Sequence, residues 1–171
     1  VKRGVIRILT PGTIVESNLL EEKKNNYIMS ICKSGIYFGL SVCDISTGEF
    51  YSCEIKDENN FELLLDEIAR YNPSELVINS MMSDCAEEID AIKERFDVYI
   101  TKFNDKFFDT DCLDIETRFT YVDNKGNEVK DLEDKKFAVA SINALISYIE
   151  QTQMTTLDSI NKIVLYSISK Y

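Results

Sequence analysis

The chain of 171 residues contains no histidine, the side chain on which most acid–base catalysis and many zinc sites depend. This absence excludes His-based proton transfer and the usual zinc constellations. A serine or cysteine nucleophile would also lack its usual base, so that only a lysine could take that role. Glycine is sparse too. Its six residues form neither a GxxxxGK nor a GxGxxG pattern, so the sequence has no Gly-rich phosphate-binding loop.

Long apolar runs are missing as well. No stretch approaches the about 18 consecutive apolar residues of a membrane span, and no signal-peptide pattern is present. The five cysteines have no CxxC spacing, and Cys32, Cys43 and Cys53 lie in predicted strands. We therefore expect buried free thiols in a reducing, cytoplasmic compartment and no disulfides.

Positive charge is in short supply, with 19 Lys and Arg against 30 Asp and Glu and a net charge of −11. The few clustered basic residues are Lys2, Arg3 and Arg7. A domain that holds nucleic acid across its own surface needs clustered Lys and Arg, so this class of protein is disfavoured. The negative charge instead fits a protein partner with a basic face, or serves only to keep the domain soluble.

The most informative stretch that is present runs over residues 27–56. It contains three apolar segments rich in Ile, Val, Tyr, Phe and Cys, which are separated by turns containing Gly35 and Gly48. This pattern predicts a three-stranded antiparallel meander.

The residues after the meander alternate between helical and strand patterns. Apolar spacing predicts helices over 59–72, 83–96, 104–118 and 133–153, and strands over 75–79 and 98–103. Asn59 with Glu62 predicts a capping box for the first helix, and Ser83 is the expected cap of the second. Residues 121–136 are expected to form a loop that leads into the last of these helices. The predicted fold class is α/β, with a mixed five-stranded sheet of three antiparallel strands followed by βαβα units and flanked by helices.

This element order is that of the ribonuclease H-like fold, whose active members hold two metal ions with clustered carboxylates. The carboxylates stand on the first strand, the first helix and the end of the fourth strand. Here the first strand has no acid, and the fourth ends in Asn79. Asp44 is expected to cap the turn that follows it. The alternative is a divergent metal-dependent nuclease that uses Asp44 with Glu54 or Asp66.

Specific strings in the chain closely resemble the MutS family of DNA mismatch-repair proteins. They are VKRGVIRILTPGT at 1–13, DISTGEF at 44–50, ARYNPSELV at 69–77 and ALISYIEQTQMTTLDSI at 144–160. The resemblance covers essentially the whole chain. It implies that residues 1–13 end a mismatch-recognition domain, that 14–130 form a connector domain with a ribonuclease H-like fold, and that 131–171 begin a core or lever domain.

The resemblance also implies a role. The family's Phe-x-Glu mismatch motif and its ATP-binding P-loop are absent from this sequence, so no enzymatic activity, metal or cofactor is assigned to it. ATP and Mg are implied for the parent protein, together with mismatched duplex DNA and a homodimeric state. The implied role of this chain is to transmit conformational change between the DNA-binding and ATPase parts and to dock MutL. The implied MutL contacts are Asp109, Asp111, Asp114 and Glu116.

Two apolar segments, 4–9 and 162–168, are expected to be strands without native neighbours. Unpaired strand edges seek partners, so we expect these segments to fray or to pair with each other or with a second copy of the chain.

Overall fold

The computed structural model describes residues 26–58, 61–153 and 157–168. These residues form a seven-stranded mixed sheet that is flanked by helices. The strands are β1 Ile28–Ser34, β2 Tyr37–Asp44, β3 Glu49–Lys56, β4 Glu75–Ile78, β5 Tyr99–Lys102, β6 Thr120–Asp123 and β7 Lys162–Leu165. The helices are α1 Glu62–Tyr71, α2 Ser80–Ser83, α3 Ala86–Arg95, α4 Leu113–Arg118 and α5 Lys136–Thr152, with a 3₁₀ turn at Asp105–Phe107. The strand order across the sheet is β5-β4-β1-β2-β3-β7-β6.

The predicted meander is confirmed. β1 pairs with β2 and β2 with β3, both antiparallel and in continuous register. Gly35 and Gly48 connect them with φ angles of 64° and 80°, a backbone region that glycine adopts without steric cost. β4 then pairs in parallel with β1, and β5 with β4, as the predicted βα units require.

Of the two predicted helix caps, Asn59 lies outside the described residues. At the start of α1, the N–H groups of Leu63 and Leu64 donate to Asp57 Oδ2, at 2.9 and 3.4 Å. The predicted second helix corresponds to α3, whereas Ser83 is the last residue of the preceding short helix α2, so the prediction of Ser83 as a cap is wrong. The cap of α2 is Asn79, whose Oδ1 accepts from Met82 N at 3.1 Å.

The prediction of five strands is wrong, because β6 and β7 extend the sheet beyond β3. β6 lies where a loop was expected, and β7 pairs in parallel with both β3 and β6. β7 is therefore an interior strand, and the expectation that 162–168 frays or seeks a second chain is wrong for Lys162–Leu165. Segment 4–9 lies outside the described residues.

The predicted long helix is confirmed as α5, which is buried along most of its circumference. One side packs on β1, β2 and β3. Buried residues of segment 103–132, among them Phe108, Ile115 and Leu132, join the same apolar cluster as α5. α1 and α3 cover the opposite face of the sheet in a second cluster. The sheet is thus flanked by helices on both faces, as predicted for an α/β fold.

All five cysteines are free thiols, as predicted. Burial raises the pKa of Cys32 to about 11 and of Cys43 to about 12, so these thiols stay protonated at neutral pH. Within the described ranges, no helix is long and apolar enough to cross a bilayer.

Candidate partner-binding surface

The acids implied as partner contacts lie on the segment that covers the outer side of α5. Asp109, Asp111 and Asp114 are exposed, whereas Glu116 is half-buried. Asn143 of α5 holds this segment in place, because its Nδ2 donates to the carbonyl oxygens of Asp109 and Asp111 at 2.7 and 2.9 Å. The structure therefore brings the predicted residues together on one fixed stretch of surface.

Each of these carboxylates also has a local partner. Asp109 Oδ1 accepts from Asp111 N at 3.1 Å, and Asp111 Oδ1 accepts from Leu113 N at 3.0 Å at the start of α4. Asp114 forms an ion pair with Arg118 at 3.7 Å. Each of these contacts uses one oxygen of the carboxylate. The second oxygen can accept further hydrogen bonds.

Leu113 is the residue at this surface that the sequence reasoning missed. Its side chain is 72% exposed, although it is a large apolar residue at the first position of α4. A single exposed apolar side chain is common on protein surfaces, so it is the place of Leu113 between Asp111 and Asp114 that makes it a candidate contact. The signal was present in the sequence, because Leu113 falls outside the buried stripe of Phe108, Ile115 and Phe119.

Glu116 turns inward and connects α4 to the following loop. Its Oε1 accepts from Leu132 N at 3.4 Å and from Cys112 Sγ at 3.1 Å. The bond from Cys112 to this carboxylate is the main cause that raises the pKa of the Cys112 thiol to about 11. Glu116 is thus the member of the predicted set with a structural role, and Cys112 is held as an unreactive thiol despite its partial exposure.

Asp44 and Glu54, the first acid pair of the nuclease alternative, do not converge. Asp44 stands opposite Glu49, and Glu54 lies five residues further along β3, a separation of about 17 Å at 3.4 Å per residue. Asp66 is exposed on α1, on the face of the sheet opposite α5, whereas the Glu54 carboxylate lies against α5. Across the described parts of the chain, no group of three His, Cys, Asp or Glu side chains has the geometry to hold a metal ion.

Asp44 has the turn-capping geometry that the sequence predicts. Its Oδ1 accepts from the backbone N–H and the hydroxyl of Ser46, at 3.0 and 2.6 Å, and its Oδ2 accepts from Asn26 N at 3.3 Å. The side chain is buried, and its hydrogen bonds fix the β2–β3 turn.

Small and polar residues hold α5 close to the meander. Ser41 stands at the centre: its Oγ lies 2.9 Å from that of Ser52 and 2.7 Å from that of Ser141 on α5. Ser30 donates to the carbonyl oxygen of Ser141 at 2.7 Å. All four serines are fully buried, and each forms a hydrogen bond. We call this group of serines, which joins α5 to the sheet inside an apolar core, the polar seam.

Two further residues fix the beginning of α5. Glu54 Oε2 accepts from the N–H groups of Phe137 and Ala138 at 2.8 and 3.2 Å, which caps the helix from a strand 83 residues away in sequence. At Gly39, a Cβ would lie 1.8 Å from the carbonyl oxygen of Phe137, so only glycine permits this approach.

Comparisons with known proteins give the same family as the sequence resemblance. The sequence profile of MutS domain II matches residues 26–161. The chain is 42% identical over 175 residues to the DNA mismatch repair protein MutS of Acetivibrio thermocellus. It is 40% identical over 174 residues to the protein of the same name from Clostridium botulinum, and 36% over 172 residues to that from Ruminiclostridium cellulolyticum.

These alignments cover 100% of this chain but only 17–19% of the relatives. The chain therefore spans less than a fifth of the length of the curated relatives it matches. The profile match extends from the start of the meander to the residue before β7, and the relatives align over the whole sequence. The chain belongs to the MutS domain II family.

Proposed function

We propose that this chain is a non-catalytic connector domain of a MutS-type mismatch-repair ATPase, which transmits conformational change between mismatch-binding and ATPase parts and docks MutL. The observation that carries the proposal is the match to MutS domain II over residues 26–161. Since the P-loop is absent from this sequence, ATP and Mg belong to the larger protein. Mismatched duplex DNA, the homodimeric state and the cytoplasmic location are likewise proposed for that larger protein.

The proposed scaffold is ribonuclease H-like. Five of the strands lie in the order β5-β4-β1-β2-β3, with an antiparallel meander followed by two parallel strands, and this arrangement supports the assignment. β6 and β7 are additions at the β3 edge. The separation of Asp44 from Glu54 supports a scaffold without nuclease chemistry and argues against this carboxylate pair as a nuclease site.

Transmission requires that a force on one element moves its neighbours as a unit. The polar seam and the Glu54 cap tie α5 to three strands at once. Displacing α5 would leave buried hydroxyl groups without partners, which costs about 1–3 kcal/mol for each group. A movement of α5 would therefore carry the meander with it.

MutL docking is assigned to the surface formed by Asp109, Asp111, Asp114 and Leu113. An exposed apolar side chain supplies contact area, and the acids around it select a basic partner face. Glu116 supports this surface from inside through its bonds to Cys112 and Leu132.

The test is a binding titration of purified cognate MutL against the chain in which Asp109, Asp111 and Asp114 are changed to Lys. We expect an affinity loss of about tenfold or more, because like charges would face the basic partner. The matched control changes three exposed acids of α3, Glu87, Asp90 and Glu94, to Lys and so alters the net charge equally. Equal losses in both variants, or no loss in the first, would contradict the docking assignment.

The nuclease alternative has its own test. Incubation of the chain with DNA or RNA in Mg²⁺ or Mn²⁺ should give no turnover that depends on Asp44. Cleavage that Asp44→Asn abolishes would overturn the non-catalytic assignment.

A further inference from the structure

A second surface lies at the beginning of α5, away from the acidic segment. Three of the five large apolar side chains that stand out as exposed in the described residues gather here, Ile36 at 38%, Tyr37 at 40% and Met81 at 45%. The two other such residues, Tyr99 and Leu113, lie on β5 and α4. We call the surface formed by Ile36, Tyr37, Met81 and the half-buried Phe137 the hairpin patch.

The hairpin patch is continuous although three elements contribute to it. Met81 of α2 places its Sδ 3.3 Å from Gly35 N in the β1–β2 turn. Tyr37 stacks on Phe137 of α5, with ring centroids 5.3 Å apart and planes 5° from parallel. Turn, short helix and long helix therefore present one apolar surface.

The elements that carry the patch are held firmly. Asn79 fixes α2 to β1, since it accepts from Met82 N and from Lys33 N, both at 3.1 Å. Ser80 donates to the Asp105 carboxylate through its backbone N–H at 2.8 Å and through its hydroxyl. A rigid surface loses little conformational entropy on binding, so its contact area converts efficiently into affinity.

Two lysines flank the patch from its two sides, Lys136 on the side of α5 and Lys33 on the side of Phe38, which packs on the opposite face of the sheet. Lys136 Nζ lies 5.2 Å from the centre of the Phe137 ring, and Lys33 Nζ donates to the carbonyl oxygen of Gly35. Neither forms an ion pair within the described part of the chain, whereas four other cations do. Glu54 already accepts two backbone N–H groups of α5, and among the described contacts no ion pair joins Glu133 or Asp134, which precede the helix, to either lysine. Positive charge is therefore left available here, in a chain whose net charge is −11.

We propose that the hairpin patch binds an acidic protein segment, which places a large apolar side chain on Tyr37 and Met81 and its carboxylates on Lys33 and Lys136. Tyrosine and methionine are enriched in the energetically dominant centre of protein interfaces. Lysine ammonium groups at the rim select partners of opposite charge. The hairpin patch shares no residue with the acidic surface proposed for MutL. The hairpin patch selects an acidic partner, whereas the acidic surface selects a basic one.

A protein segment is favoured over single-stranded nucleic acid. Tyr37 and Phe137 could stack on a base, but Ile36 and Met81 offer no stacking face. Nucleic-acid binding also depends on extended positive charge, which a chain of net charge −11 lacks.

The experiment measures fluorescence anisotropy of the whole 171-residue chain with three labelled probes. The first is a synthetic peptide in which Leu and Phe alternate with Asp and Glu, the second is the same peptide with Lys at every acidic position, and the third is oligo-dT. We expect saturable binding of the first probe only. Tyr37→Ser and Met81→Ser should each weaken it about tenfold, and Lys33→Glu with Lys136→Glu should do the same.

Controls are Tyr99→Ser, which removes a more exposed apolar side chain elsewhere, and Lys125→Glu, which reverses an exposed charge. Unchanged thermal unfolding of each variant shows that the fold is retained. Absence of binding by the acidic peptide, equal loss in the controls, tighter binding of oligo-dT, or patch-dependent self-association in sedimentation would each overturn the proposal. None of these outcomes alters the MutL titration, which uses other residues.

Discussion

Asp44, Asp57 and Asn79 each direct a side-chain oxygen at backbone N–H groups. Asp44 fixes a turn, Asp57 begins α1 and Asn79 begins α2, with N···O distances of 3.0, 2.9 and 3.1 Å. The same side-chain types could serve as metal ligands if they converged on a common point. Here each satisfies its own local backbone, and their role is to set the ends of the elements.

A thiol measurement tests the assignment of Glu116. The Glu116→Gln variant removes the carboxylate whose hydrogen bond and charge raise the pKa of Cys112 to about 11, so that pKa should fall and the thiolate fraction at mildly alkaline pH should rise. We expect faster alkylation of Cys112 by iodoacetamide, followed by peptide mass spectrometry. Cys85, also half-buried, serves as the internal reference and should react at an unchanged rate. Equal rates for Cys112 in both proteins would show that the Glu116 charge does not control this thiol.

The sequence predicted local features better than distant ones at the residue scale. Asp44 could be assigned as a turn cap because its partner Ser46 is two residues away. Glu54 could not be assigned as the cap of α5, because the N–H groups that it accepts lie 83 and 84 residues further along the chain. Such contacts follow from packing and leave no local pattern.

At the scale of elements, the meander and α5 were predictable because their periodicity extends over many residues. β6 was not, since Thr120–Asp123 is a short strand followed by turn residues. Its pairing partner β7 lies about 40 residues later and completes the ladder. The short helix α2, which the sequence did not predict, is held by bonds that are distant in sequence, from Lys33 N to Asn79 and from Ser80 to Asp105.

The Glu54 cap predicts a measurable loss of stability. Glu54→Ala leaves the N–H groups of Phe137 and Ala138 without their acceptor and removes a negative charge from the positive end of the helix dipole. We expect the free energy of unfolding in urea to fall by about 1–2 kcal/mol. Glu58→Ala, which breaks only the exposed pair with Lys56, is the control and should cost less than about 0.5 kcal/mol. A cost for Glu54→Ala as small as that of the control would show that Glu54 does not secure α5.

The close approach of α5 to β2 makes a second prediction. Gly39→Ala places a methyl group within 1.8 Å of the Phe137 carbonyl oxygen and must displace the helix or the strand. We expect a loss of about 1–3 kcal/mol, together with faster amide exchange in the first turns of α5. The control is Gly35→Asn, since nothing lies within 4 Å of that site and asparagine tolerates its φ of 64°. Unchanged exchange in α5 after Gly39→Ala would contradict the described contact.

At the scale of the whole molecule, β7 joins the last described segment to the same sheet as the meander. Ile163 and Leu165 are buried in the cluster that contains α5. The apolar character of this segment was visible in the sequence. Its position between β3 and β6 depends on strand order, which the spacing of apolar residues along the chain does not specify. The acids of the candidate docking surface were predicted through family resemblance. The position of Leu113 outside the buried stripe was visible in the sequence, whereas the hairpin patch emerges only from exposure in three dimensions.

The role of β7 in the whole fold can be tested by Ile163→Ala. Truncating this fully buried side chain should lower the free energy of unfolding by about 2–4 kcal/mol, because a cavity opens beside α5. Probes in the meander and in β6 should unfold in one transition, since β7 joins them. Separate transitions for the two regions would show that β6 and β7 form an independent unit.

Hydrogen–deuterium exchange of the chain with and without cognate MutL tests the proposed docking role most directly. The account predicts that MutL slows exchange in residues 109–118, where the exposed acids and Leu113 lie, and leaves the β1–β2 turn unchanged. Saturating MutL that leaves 109–118 unprotected, or that protects only other surfaces, would contradict the assignment of this segment as the docking site.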